Sequence, residues 1–190
     1  NNANPLGLRN LPFMIFMGGK DGAYGRNRVA AEWGKKLGDL RKGDPGGYEH
    51  KVTIYPQHGH WMNRDDREAL PWMITRTRNP WPKKVVWHQS GRTHERFYWL
   101  AVARGTAKGG QTVEAEVKGQ EITLSAGGRK ELKLRLSDQL LDLDQPVVVK
   151  ADGREVFRGK VERGVQAIWN SLQERPDVTS VATAELHLKF

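Results

Sequence analysis

The segment Leu11–Met17, LPFMIFM, is a continuous apolar run of strand length. Runs of this kind suit strands buried on both faces, as in a parallel sheet. A glycine-rich stretch, GGKDGAYG, follows, and then the period changes. Over residues 25–41, Val29, Trp33, Leu37 and Leu40 recur at helical spacing and mark one apolar stripe. Gly43, Pro45, Gly46 and Gly47 end that helix, and HKVTIY (50–55) reads as a second strand. The order strand, helix, strand implies parallel pairing through a right-handed crossover. Asp65, Asp66 and Glu68 lie ahead of Pro71 and predict the start of a short helix through Trp72, Met73 and Ile74, with Trp33 and Trp72 expected in the core.

RTRNPWPKK (76–84) carries two prolines and a cluster of positive charge, and it divides residues 1–83 from residues 84–190. Beyond it, short β runs alternate with turn residues. Strands are expected at 84–89, 96–103, 111–117, 121–126, 131–137, 146–151, 155–162 and 181–190. In ELKLRL, Leu132, Leu134 and Leu136 share one face, and near the end Ala182, Ala184, Leu186 and Leu188 do the same. Asp152-Gly153 is a strong hairpin signal and Lys118-Gly119 a weaker one. One helix interrupts, its apolar stripe formed by Val165, Ile168, Trp169 and Leu172 ahead of Pro176. In RFYWL, Phe97 and Trp99 share parity and are expected to point into the core. LLDLDQP (140–146) reads as a strand end with one wet face. The expected fold class is α/β plus all-β: a strand–helix–strand–helix unit, then an antiparallel β-sandwich with one helix across an end.

Composition narrows the chemistry modestly. The absence of cysteine excludes disulfides, thiolate metal sites and a Cys nucleophile. The net charge is +9, concentrated in residues 1–83, with 14 basic against 8 acidic residues. The positive residues are interspersed with acids and form no long run, which favours a solvated surface over a nucleic-acid groove. No apolar stretch approaches the ~18 residues that suggest a membrane span.

The unusual residues lie after the two strands of the first half. Asp21 follows the first strand by four residues; His58 and His60 follow the second by three and five. Loops at the carboxyl ends of strands are where open α/β sheets place their functional groups. An acid after one strand and a histidine after the next is the order Asp…His that closes a serine-hydrolase triad. There the carboxylate holds one imidazole nitrogen and the other takes the nucleophile's proton. The segments NLPFMIFMGGKDGAYGRNRVAAEW and HKVTIYPQHGHWMNRDD resemble the C-terminal part of an α/β-hydrolase of the prolyl-oligopeptidase and dienelactone-hydrolase-like kind. The resemblance covers residues 8–83. It implies that Asp21 is the triad acid and His60, directly after Gly59, the triad base, with Trp61 its bulky neighbour and His58 a support of the loop. A β-rich tail of this sort is found on some bacterial hydrolases of the same type.

The sequence departs from that family in its nucleophile. No Gly-x-Ser-x-Gly elbow is present, and Ser90, Ser125, Ser137, Ser171 and Ser180 all lie downstream in other contexts. Loss of the serine from a triad costs roughly 10⁶-fold in rate. The expectation is a C-terminal piece of a longer esterase or peptidase, inactive alone, with residues 11–17 covered by the rest of the hydrolase domain or by a second copy. Two other readings stand beside it. One is a non-catalytic binding module in which the α/β part is structural. The other is a zinc site on His58 and His60, for which Asp21, Asp65 and Asp66 would be the candidate further ligands. No recognised metal-binding spacing supports the zinc reading, and the leading one assigns neither metal nor cofactor. Arg26 and Asn27 read as a solvated helix start, in preference to a role in anchoring substrate or neighbouring loops.

Overall fold

The first apolar run forms β1 (Phe13–Gly18), and HKVTIY forms β2 (His50–Tyr55), joined by helix α1 (Arg26–Gly43). The computed structural model describes residues 4–190, which divide into the unit Pro5–Arg78 and a second unit of Asn79–Phe190 together with Asn4. β1 and β2 pair in parallel from Phe13 opposite His50 to Gly18 opposite Tyr55. Because the two strands end level, the loops that follow them emerge side by side. α1 packs across both strands through Ala30, Trp33 and Leu37. Gly34 lets the helix approach β2: a Cβ there would lie 3.1 Å from a Val52 methyl. Arg41 and Lys42 complement the carboxyl end of the helix dipole, and Asp44 beyond it takes a bidentate bond from Arg9 (2.7 and 2.9 Å).

The sheet of this unit has two strands only, and the side chains of Phe13 to Met17 stay half-exposed. Parallel sheets are normally covered on both faces, and two strands alone are marginal in water. Asp65–Glu68 form a 3₁₀ turn that leads into α2 (Ala69–Ile74). Leu70, Met73 and Ile74 are exposed, and Trp72, expected in the core, is half-exposed with the Arg76 guanidinium 4.0 Å over its ring.

The second unit is a two-layer β structure with nine strands. They are β3 (Lys84–His88), β4 (Arg96–Phe97), β5 (Leu100–Ala101), β6 (Thr112–Lys118), β7 (Glu121–Ser125), β8 (Glu131–Leu136), β9 (Val147–Ala151), β10 (Arg154–Gly159) and β11 (Ala184–Lys189). One sheet runs β10-β9-β7-β6-β3 and the other β11-β8-β5-β4. All pairs are antiparallel except β7 with β9. Their inner faces share one core, with Val85, Trp87, Val113, Ile122, Leu134, Leu136 and Val149 among its members. Asp152 (φ 47) and Gly153 (φ 81) make the tight turn between β9 and β10 that their sequence predicts. Trp81 packs into this unit and donates its indole N–H to the Thr179 carbonyl (3.0 Å).

Several expectations are corrected. Residues 96–103 are not one strand: Tyr98 takes a left-handed conformation (φ 52) and turns the chain into the β4–β5 hairpin. Phe97 and Trp99 nevertheless both reach the core, the first stacked on Trp87 (6.2 Å) and the second wholly buried. LLDLDQP is a turn segment, not a strand end. Leu140, Leu141 and Leu143 are buried there, while Asp138 and Asp144 bracket Arg163. Helix α3 (Val165–Glu174) lies against the outer face of the four-stranded sheet, with the reverse of the expected face inward. Ala167 and Ser171 are buried, and Val165 and Trp169 are exposed. The reason is the buried guanidinium of Arg135 on that sheet face. Its Nη1 pairs with Glu185 (3.0 Å) and its Nη2 with Glu174 of the helix. A buried charge needs acceptors, so the polar side of α3 faces in. Among the described residues, no helix is long and apolar enough to cross a membrane.

Candidate functional site

Two loops meet at the carboxyl ends of β1 and β2, and glycine makes their contact possible. Gly19 N–H donates to the Tyr55 carbonyl (2.8 Å) and Lys20 N–H to that of His58 (2.9 Å). A Cβ on Gly18 would lie 1.9 Å from the Gly59 carbonyl oxygen, so no side chain fits. Asn27, near the start of α1, closes the first loop, its side-chain amide donating to the Gly19 carbonyl (2.8 Å) and its N–H to that of Asp21 (3.2 Å).

The result is that Asp21 and His60 meet. Asp21 Oδ2 lies 2.8 Å from His60 Nδ1, across 39 residues of sequence. The carboxylate is buried, with its side chain 4% exposed, whereas the imidazole is 80% exposed. The Asp21 carboxyl is held below its ordinary value of 3.8, first by the hydrogen bond from His60 and then by Arg26, with burial opposing both. An ionised carboxylate only accepts, so Nδ1 carries the proton and Nε2 is left to take one from a group brought up from solvent. Histidine oriented in this way is suited to general-base chemistry.

His58, two residues earlier, faces elsewhere. Its Nε2 lies 2.9 Å from Asp65 Oδ2, and its ring packs against that of Tyr55 (5.2 Å between centroids). The Tyr55 hydroxyl donates to Glu68 (2.7 Å), with the Asp65 carbonyl also within reach at 3.1 Å. Burial, reinforced by Glu68, pushes the Tyr55 hydroxyl up to about 12. The His60 loop is thereby tied to the turn before α2. The two histidines thus engage different carboxylates, and no group of three or more potential ligands that could hold a metal is found among the described residues.

Sequence reasoning preferred a solvated helix start for Arg26 over a role in anchoring a neighbouring loop. Its Nη1 lies 3.2 Å from Asp21 Oδ1, and its guanidinium lies 5.1 Å from the ring centroid of Tyr24, a residue at φ 54 and 92% exposed. A cation in the first turn of a helix opposes the helix dipole, and that was the available signal that Arg26 is engaged elsewhere. The contacts of Gly18 with the second loop had no such signal, since Gly-Gly reads equally well as a flexible turn. Of the potential nucleophiles, no serine or cysteine lies in Pro5–Arg78; all five serines belong to the second unit. Comparison with known proteins finds no matching family model, curated protein or solved structure.

Proposed function

We propose that the first unit is the acid–base part of an α/β-hydrolase-type serine hydrolase acting on an ester or peptide bond. Asp21 is the acid, His60 the base, and the serine is supplied from outside these 190 residues. The observation that carries the reading is the 2.8 Å contact between Asp21 Oδ2 and His60 Nδ1 at the level ends of two parallel strands. In the proposed reaction His60 Nε2 takes the serine proton as the oxygen attacks the carbonyl carbon. Asp21 stabilises the imidazolium so formed, which then returns the proton to the leaving group.

The half-exposed apolar strand β1 supports the second part of the proposal. A strand of this composition with an open edge invites pairing. The remainder of the hydrolase sheet, in the same protein or an associated chain, or else a second copy, covers residues 11–17. Fluorophosphonate labelling of native material, followed by intact-mass detection, tests the reading. The expected result is a label on a larger species containing this sequence or on a chain bound to it. Absence of label from every species in active native material would overturn it in favour of a binding module.

A further inference from the structure

Arg26 is not a solvated helix start. It shares the Asp21 carboxylate with His60, one oxygen each: Nη1 on Oδ1 at 3.2 Å, and Nδ1 on Oδ2 at 2.8 Å. A carboxylate side chain rotates about its last bond, and a single contact to an 80%-exposed imidazole leaves that rotation free. A second contact on the other oxygen removes it. Tyr24 completes the arrangement, its left-handed backbone (φ 54) placing an almost fully exposed ring beside the guanidinium. A non-glycine residue in that conformation carries strain, and its ring packs beside the Arg26 guanidinium.

We infer that Arg26 is a positioning residue of the Asp21–His60 pair: by holding Oδ1 it turns the carboxylate so that Oδ2 alone faces Nδ1, which fixes the proton on Nδ1 and keeps Nε2 open. The inference rests on the acid–base reading of that pair, and it adds a residue that touches neither nucleophile nor substrate. Its effect is read in the His60 tautomer and not in affinity.

The test is nitrogen-15 and proton NMR of the 190-residue chain at neutral pH, comparing wild type with R26M, R26Q and R26K. In wild type, His60 shows the Nδ1–H tautomer and a slowly exchanging Nδ1 proton. R26M gives mixed tautomers, and its proton exchanges roughly tenfold faster, as expected on losing one charge-assisted contact. R26K, which keeps the charge, restores most of the wild-type signature. If R26M also disturbs the amide spectrum, R26Q decides, since its amide nitrogen sits two bonds nearer the backbone than Arg26 Nη1 and so gives up the Oδ1 contact while staying polar. An unchanged tautomer and exchange rate in a well-folded R26M or R26Q overturns the role of Arg26 and leaves the pair intact. A wild-type chain without the Nδ1–H tautomer overturns the pair itself.

Discussion

Replacing Gly18 with alanine would separate the two site loops. The added Cβ would meet the Gly59 carbonyl oxygen at 1.9 Å, the His58 carbonyl oxygen at 2.7 Å and the Gly59 carbonyl carbon at 2.8 Å. All three are backbone atoms, so no side chain can rotate away. Restoring an ordinary contact of about 3.4 Å requires the loops to part by about 1.5 Å, far more than close-packed protein absorbs without rearrangement. Half of that movement takes the 2.8 Å bond between Asp21 and His60 to the limit of hydrogen bonding. Overpacking of this kind costs about 1–3 kcal/mol. For a unit of this size each kcal/mol lowers the midpoint of thermal unfolding by about 4–8 °C. Gly59→Ala is the control, because nothing lies within 4 Å of the Cβ it would add. Thermal unfolding and the His60 Nδ1 proton resonance should both report damage in G18A and almost none in G59A. Equal melting points and an intact resonance in G18A, or equal damage in G59A, would refute the close-approach argument.

Other expectations follow from the same structure. The Asp21 carboxyl, followed by carbon-13 NMR, should titrate below its ordinary 3.8, and H60A should move it back further than R26M does, because the His60 bond is the larger cause. Since the folded value lies below the unfolded one, the stability this group contributes is complete above 3.8 and is lost as the pH falls through the depressed value; acid melts of wild type and H60A should converge there. Tyr55 should resist ionisation until about pH 12 in an ultraviolet titration, and Y55F should remove that late step while letting the Glu68 carboxyl rise toward its ordinary range. Arg129 is buried, its Nε and Nη2 meet no acceptor among the described residues, and its guanidinium lies over Trp87 at 5.6 Å. R129M should therefore raise the melting temperature, with a gain of about 1–2 kcal/mol after loss of the ring contact. A lower melting point would mean that the guanidinium is satisfied.

The hydrophobic period made the β1–α1–β2 unit legible because one apolar stripe and two apolar runs leave few alternatives. The alternation of Leu132, Leu134 and Leu136 located β8 for the same reason, and all three are buried. Candidate residues Asp21 and His60 were legible by their places after strands, yet the contacts that set their geometry were not. Arg26 reaches Asp21 across a loop, and Gly18 matters through the atoms it lets approach; neither leaves a period. The inverted face of α3 was out of reach for a related reason. Its apolar stripe is genuine, but Arg135, a single buried charge on a neighbouring strand, outweighs it by demanding Glu174 and Glu185. Tyr98 broke a promising strand because a left-handed residue other than glycine is not announced by composition.

The proposed role of His60, oriented by Asp21, is that of the base for a serine carried elsewhere. It is tested most directly by the rate of fluorophosphonate labelling in the native assembly, wild type against H60A and D21N, with Arg28→Ala on the exposed side of α1 as a control. Labelling should fall by at least about a hundredfold in H60A and D21N, as expected on removing a general base or its orienting acid, and remain unchanged in the control. A label that forms at the wild-type rate without His60 would overturn that role.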